Sequence, residues 1–288
     1  MASAGDLLKG RFAEGMPHGI DLTEDEYLQR KVDDYNKMPG DKRECDGFYH
    51  CEKCNEKMLY AYITTSPATG IKREAYAQCD CVPKRQAMRR LIASGLGDAI
   101  KRCRFDNYQT LDGWQANIKG KAMQFAEQGG RVFFFGGQSG AGKTHLCTAI
   151  AMHHFNQGKG IKYMIWPKEL PVIQGLVNEP ERYTALMREL ETVDVLYIDD
   201  LFNNGMEGGR LRSPSGPETK RAFEILNQRC INEKLVTIIS SEFTIPDLAN
   251  IAENIAGRIV ENAGDGEYCI NIRKDPKKNW RMRSMMNY

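Results

Sequence analysis

The sequence predicts an α/β fold: a parallel five-stranded sheet covered by helices on both faces, preceded by a small cysteine-bearing unit. Three observations carry this expectation. From about residue 131 onward, short apolar runs of strand length alternate with helical stretches. One of those runs leads straight into a glycine-rich loop and then a helix. Five of the nine cysteines fall between residues 45 and 82.

The chain has 288 residues, enough for about two domains at roughly 150 residues each. Hydrophobic residues make up 41% and charged residues 27%, an ordinary globular composition. The 40 Lys+Arg and 38 Asp+Glu leave a net charge of +2, which excludes a histone-like blanket of charge. The charge is nevertheless uneven. Residues 1–47 carry a net −4, residues 82–104 a net +6 and residues 271–288 a net +5. The longest uninterrupted apolar run is Met58–Ile63. A membrane-spanning helix needs about 20 such residues, so no membrane partner is expected. The N-terminal stretch has no apolar core of a secretory signal, and the cysteine count is odd. Together these predict a reducing cytoplasm, with thiols free or bound to metal.

Taken in order, residues 1–20 read as a polar arm, and residues 23–38 as a helix capped by Thr23 with Glu24, Asp25 and Glu26 in its first turn. Residues 84–93 read as a basic helix, followed by a linker punctuated by Gly95 and Gly97. Strands are expected at 131–135, 161–166, 193–198, 235–240 and 267–272, and helices at 144–156, 168–177, 180–191, 217–232 and across most of 246–262. Residues 203–216 read as a long glycine-rich loop. The domains expected are therefore 1–82 (with the cysteine module at about 45–82), a basic linker helix at 83–104, and the α/β domain at 105–288.

The loop itself runs Gly137, Gln138, Ser139, Gly140, Ala141, Gly142, Lys143, Thr144, His145, and fits G-x-x-x-x-G-K-[ST] in full. Glycines let the backbone curl so that its N–H groups converge on phosphate oxygens, and the following helix adds positive potential at the same place. Lys143 is the expected bridge to the β- and γ-phosphates of ATP, and the Thr144 hydroxyl the expected Mg2+ ligand. The strand before Asp199 and Asp200 supplies the acids: Asp199 for Mg2+ and Asp200 for the attacking water. Ser240, Ser241 and Glu242 end another apolar strand, where small hydroxyls either reach the γ-phosphate or cap the next turn.

Cys51 and Cys54 form a C-x2-C pair, and Cys79 and Cys81 a C-x-C pair. Four thiolates make a closed tetrahedral Zn2+ site, which folds a module rather than catalysing a reaction. Cys45 and His50 are rival ligands.

Read together, these segments resemble the bacterial and phage helicase loaders of the DnaC/DnaI type within the AAA+ ATPases. The resemblance covers roughly residues 45–288 and rests on the cysteine module, the segment RCRFDNYQT, the loop GQSGAGKTHL, the strand LYIDDLF, the stretch TIISSEFTIPDL, the segment IAGRIVE and the tail NWRMRS. It implies an AAA+ ATPase domain after a zinc-binding domain, and Mg2+-dependent ATP hydrolysis. It also implies a sensor 1 role for Ser241, an arginine finger at Arg258 acting on a neighbouring subunit's nucleotide, and a sensor 2 role for Arg281 or Arg283. The partners implied are a DnaB-type hexameric replicative helicase gripped by residues 1–82, single-stranded DNA, and further copies of the chain in a ring or spiral. Lys168, Arg182, Arg210 and Arg212 are candidate DNA contacts. The chain departs from many relatives at Ser241-Glu242, where they carry Thr-Asn, at Asp200, where many carry Glu, and in its longer 203–216 loop.

The competing reading within the class is a transposition helper ATPase of the IstB type, which shares the same core. A small-molecule P-loop kinase would explain neither the cysteine module nor Arg258. A zinc-ribbon nucleic-acid binder using ATP only as a switch is the third alternative.

Overall fold

The computed structural model describes residues 22–40 and 50–285, without the side chains of Asp98 and of residues 283–285. The chain divides into two compact units, residues 1–85 and 86–288.

In the first unit, helix α1 (Glu24–Lys37) opens with the expected cap: the Glu26 N–H donates to Thr23 Oγ1 at 3.3 Å, and the Thr23 N–H donates to Glu26 Oε2 at 2.8 Å. Strands β1 (Leu59–Thr65) and β2 (Lys72–Gln78) form an antiparallel hairpin. The Asn36 amide fastens α1 to it, donating to the Ala61 carbonyl at 2.9 Å and accepting from the Ala61 N–H at 2.8 Å. Tyr35 meets Tyr76 edge-on at 4.8 Å. The basic helix begins earlier than expected, as α2 (Cys81–Leu91), and passes through a wide turn at Ile92–Leu96 where Gly95 takes φ 99°. A short helix α3 (Gly97–Arg102) follows.

In the second unit the expected alternation is present. Its order is α4 (Gly113–Gln128), β3 (Val132–Gly137), α5 (Lys143–Asn156), β4 (Ile161–Ile165), α6 (Trp166–Gly175), α7 (Pro180–Thr192) and β5 (Val195–Leu201). After these come a small hairpin of β6 (Met206–Glu207) and β7 (Arg210–Leu211), then α8 (Gly216–Ile231), β8 (Val236–Ser241), α9 (Ile245–Ile251), α10 (Glu253–Asn262) and β9 (Cys269–Ile272). The hairpin is a difference from the plain loop expected at 203–216, because Gly205, Gly208 and Gly209 at positive φ permit a tight reversal. The helix expected across 246–262 is two helices, broken at Ala252 with φ −156°.

Strands β4, β5, β8, β3 and β9 lie in that order in one parallel sheet. This is the AAA+ arrangement, with the first strand, β3, between the last two. Phe133, Phe134, Phe135, Val195, Leu196, Tyr197, Ile198, Ile238 and Ile239 are all fully buried, as a sheet covered on both faces requires. Each large apolar side chain so buried contributes about 1.5–3 kcal/mol. Arg229 of α8 is also buried. Its guanidinium donates to Thr237 Oγ1 and to the carbonyls of Leu190, Val193 and Val236. It thereby joins the helix layer to the sheet. Among the described residues no helix is long and apolar enough to cross a membrane.

Candidate nucleotide site and cysteine centre

In open parallel sheets, ligands bind beyond the carboxyl ends of the strands, where connections diverge. The loop 137–142 occupies that position at the end of β3. Gly137 has φ 105°, and a Cβ there would lie 2.0 Å from the Ile272 carbonyl oxygen. Gly142 has φ 89°, and a Cβ there would meet the Tyr108 ring at 2.9 Å. A side chain at either place would break the loop's curl.

Lys143 opens α5 and is 7% exposed. Its ammonium donates to the carbonyls of Gly137 at 2.8 Å and Gln138 at 3.0 Å. Burial pushes this ammonium down from its ordinary pKa, while Glu242, Asp200 and Asp199 push it back up. Thr144 is exposed in the first turn of α5. The ring of His145 packs edge-on against Tyr108 at 5.1 Å, and its Nε2 lies 2.9 Å from the Arg104 carbonyl and 3.1 Å from Asn107 Oδ1. The segment before α4 is thus held over the phosphate loop.

Asp199 and Asp200 end β5. Asp199 is 7% exposed and accepts from Tyr163 Oη at 2.8 Å, from Tyr197 Oη at 3.0 Å and from the Ser240 hydroxyl. Three hydroxyl donors fix a buried carboxylate without neutralising it, which leaves it suited to a cation. Burial and Asp199 raise the Tyr163 phenol, which keeps it a donor. Asp200 takes φ 58°, and its N–H donates to Ser240 Oγ at 3.0 Å. Burial, then Asp199, raises its carboxyl above the ordinary pKa.

A cavity of about 480 Å3 brings together Ser139–His145, Asp200, Asn203, Glu242 and Arg281. The C-terminal tail closes against it: the Trp280 N–H donates to the Gly140 carbonyl at 3.0 Å. Gln138 clips the same tail, donating to the Asp275 carbonyl at 2.9 Å and accepting its N–H at 2.5 Å. The Arg283 side chain lies outside the described residues. Ser241 is fully buried. Its hydroxyl donates to the Leu201 carbonyl at 2.8 Å and accepts from the Phe243 N–H at 3.1 Å. Arg258 stands part-exposed on α10, 3.2 Å from Glu261, and does not line this cavity. Lys168, Arg182, Arg210 and Arg212 are exposed, and Arg182 pairs with Glu179 at 2.6 Å.

Sequence reasoning missed Tyr108, Tyr163, Tyr197 and Trp280, and named Glu242 without giving it a role. Tyr197 was within reach of a periodicity argument. It lies two residues before Asp199 on one strand, and alternate strand residues share a face. Tyr163 belongs to a neighbouring strand, where no local pattern points to it.

In the first unit the four thiols of Cys51, Cys54, Cys79 and Cys81 are buried, with all sulfur atoms within 4.8 Å of one another. The Cys51–Cys79 and Cys54–Cys81 sulfur pairs are each 3.6 Å apart. A tetrahedral zinc with bonds of about 2.3 Å spaces its sulfurs by about 3.8 Å, so this donor set has the dimensions of such a site. Asn55 and Glu56, at φ 44° and 72°, turn the chain around the first pair. Buried Glu56 holds that turn: it accepts the Cys51 N–H at 3.0 Å and pairs with Arg85. His50 is exposed and lies 2.8 Å from Glu56, so it serves the turn and not the sulfur cluster. Cys45 lies outside the described residues.

No protein-family model matches the chain. It is 30% identical over 234 residues to YqaM of Bacillus subtilis strain 168, a protein of uncharacterised role, covering 76% of this chain and 71% of that one. It is 26% identical over 160 residues to the replicative helicase loader DnaC of Escherichia coli K12, covering 51% of this chain and 65% of the loader. A solved DnaI structure overlaps it with a TM-score of 0.46 at 22% identity, covering 63% of this chain and 92% of that one. That structural likeness is too weak to bear on function. The strand order, the phosphate loop and these sequence relatives together lead to one conclusion: the chain belongs to the DnaC/DnaI-type helicase-loader family of AAA+ ATPases.

Proposed function

We propose that this chain is an ATP-dependent loader that binds a DnaB-type replicative helicase and places it on single-stranded DNA at the start of replication. The observation that carries the reading is the cavity at the end of β3. There residues 139–145 of the phosphate loop and helix, the acids Asp200 and Glu242, and Arg281 of the tail line one cavity, in a chain whose relatives include helicase loaders.

In this reading the N–H groups of residues 138–144 and Lys143 bind the triphosphate, and Arg281 or Arg283 approaches it from the tail. Thr144 and Asp199 would hold Mg2+, which neutralises phosphate charge. Tyr163, Tyr197 and Ser240 keep the Asp199 carboxylate oriented, and Asp200 faces the attacking water. Arg258, which does not line its own cavity, serves the nucleotide of an adjoining copy, so turnover depends on assembly into a ring or spiral. Cys51, Cys54, Cys79 and Cys81 would hold Zn2+ and fold the unit that grips the helicase. Lys168, Arg182, Arg210 and Arg212 track the DNA backbone through charge, without reading bases. The absence of a membrane-spanning helix among the described residues is compatible with the cytoplasmic location this work requires.

The test is binding of the full chain to the replicative helicase of its host, with and without ATP. Stable association that weakens on hydrolysis supports the loader. No association, combined with capture of a transposase, reverses the order in favour of the IstB-type helper.

A further inference from the structure

The strand β8 delivers three polar residues in a row to the nucleotide site, and the structure separates their tasks. The Ser240 hydroxyl is committed to Asp199 and to the Asp200 N–H. The Ser241 hydroxyl is committed to the Leu201 carbonyl and the Phe243 N–H. Each has spent its one proton, so neither can donate to a phosphate oxygen, and neither lines the cavity. Glu242 is different. Half-buried, it lines the 480 Å3 cavity with Lys143, Thr144 and Asp200, and among the described residues its carboxylate has no hydrogen-bond or ion-pair partner. It also borders an adjoining cleft of about 1410 Å3 on the other side of the loop. Glu242 therefore borders both spaces.

Asp200 faces the same cavity from β5. Its side chain is short, and its backbone, in the left-handed region at φ 58°, is tied through its N–H to Ser240 Oγ. Glu242, one methylene longer, approaches from the next strand of the sheet. Two acids on neighbouring strands beside one lysine are costly unless they have something to hold, and a water molecule offers two hydrogens. Burial pushes the Lys143 ammonium down, and both acids oppose that push.

The geometry points to Glu242 as a second catalytic carboxylate of the hydrolytic site, holding one hydrogen of the attacking water while Asp200 holds the other. This rests on the ATPase reading above. In the step, the water oxygen forms a bond to the γ-phosphorus. The bond from that phosphorus to the β,γ-bridging oxygen breaks, and its electron pair leaves with ADP. The proton lost by the water passes to one of the two carboxylates and from there to the released phosphate. The free carboxylate of Glu242 thus stands in the cavity that the buried Ser241 hydroxyl does not line.

The test compares the full chain with its Glu242→Gln and Glu242→Asp variants under assembling conditions with Mg2+. Nucleotide affinity is measured with a fluorescent ATP analogue and turnover by phosphate release. Removing a negative charge beside Lys143 should leave nucleotide affinity unchanged or tighter. Glu242→Gln should lower kcat by ~100-fold, the usual scale for a lost acid–base group, with KM little changed. Glu242→Asp should recover part of the loss. Turnover of Glu242→Gln within about two-fold of the unmodified chain overturns the proposal, and so does a parallel loss of nucleotide binding. In both cases the ATPase reading stands, because the unmodified chain still hydrolyses ATP. An unmodified chain that binds ATP yet never releases phosphate sinks the ATPase reading and this inference together.

Discussion

The five-stranded unit has Phe125, Phe133, Phe134, Phe135, Ile198 and Ile239 among its fully buried side chains. The described part of the cysteine unit buries, besides its four cysteines, only Val32, Ala61 and Val82 among apolar side chains. The five-stranded unit has a core large enough to hold itself together; the cysteine unit does not. Small units of this kind depend on a staple. Here the staple is four converging thiols, braced by Glu56 and Arg85. The contrast teaches that one chain joins two modules with different sources of order, and that they should fail under different insults.

The sharpest way to break that contrast is to remove the Zn2+ proposed for the four thiols. Chelation, or Cys51→Ser, should unfold the cysteine unit, since structural zinc contributes on the order of 10 kcal/mol to folding small modules. The five-stranded unit should keep its melting transition. Hydrogen exchange resolved by segment, beside metal analysis of the purified protein, checks both halves. A zinc-free protein with residues 50–82 still protected would refute the staple.

The converse insult is Arg229→Ala. It strips the donors from three carbonyls, two of them buried, and a buried hydroxyl. It should destabilise the five-stranded unit by about 3 kcal/mol, read as a lowered melting temperature, without touching zinc content. A loss under about 0.5 kcal/mol would mean that water replaces the guanidinium.

Within the nucleotide site itself the effects are smaller. Lys143→Ala should weaken ATP binding by ~10- to 100-fold, the range of one lost charge-assisted hydrogen bond. Tyr163→Phe removes one of three hydroxyl donors to Asp199. It should raise the Mg2+ concentration needed for half-maximal turnover by about five-fold, or ~1 kcal/mol, with the melting temperature nearly unchanged. An unaltered Mg2+ requirement would show that Tyr197 and Ser240 hold the carboxylate unaided.

Much of the fold was legible because its signals are local. The apolar runs at β3, β5 and β8 are buried strands with one meaning, and Gly137, Gly142 and Lys143 carry their chemistry in their spacing. The cysteine pairs were legible for the same reason. What the residues alone did not reveal depends on contacts between distant segments. The clip of Gln138 on Asp275 joins residues far apart in the chain. The commitment of the Ser241 hydroxyl to Leu201 is set by the packing of β5 against β8. The break at Ala252 lies in a stretch whose apolar spacing reads as one helix. The hairpin at 206–211 was masked by glycines that suit a loop equally well.

The central claim is that ATP held at one copy's phosphate loop is hydrolysed with help from Arg258 of the next. Mixing two inactive variants tests it most directly. Lys143→Ala binds the triphosphate ~10- to 100-fold more weakly and lacks the lysine's charge at the phosphates, but still presents Arg258, whereas Arg258→Ala holds the triphosphate but presents no arginine. The mixture should release phosphate at a rate that neither variant reaches alone, because interfaces of mixed parentage contain one intact site. A mixture no more active than the sum of its parts, or an Arg258→Ala protein that turns over normally by itself, would contradict the account.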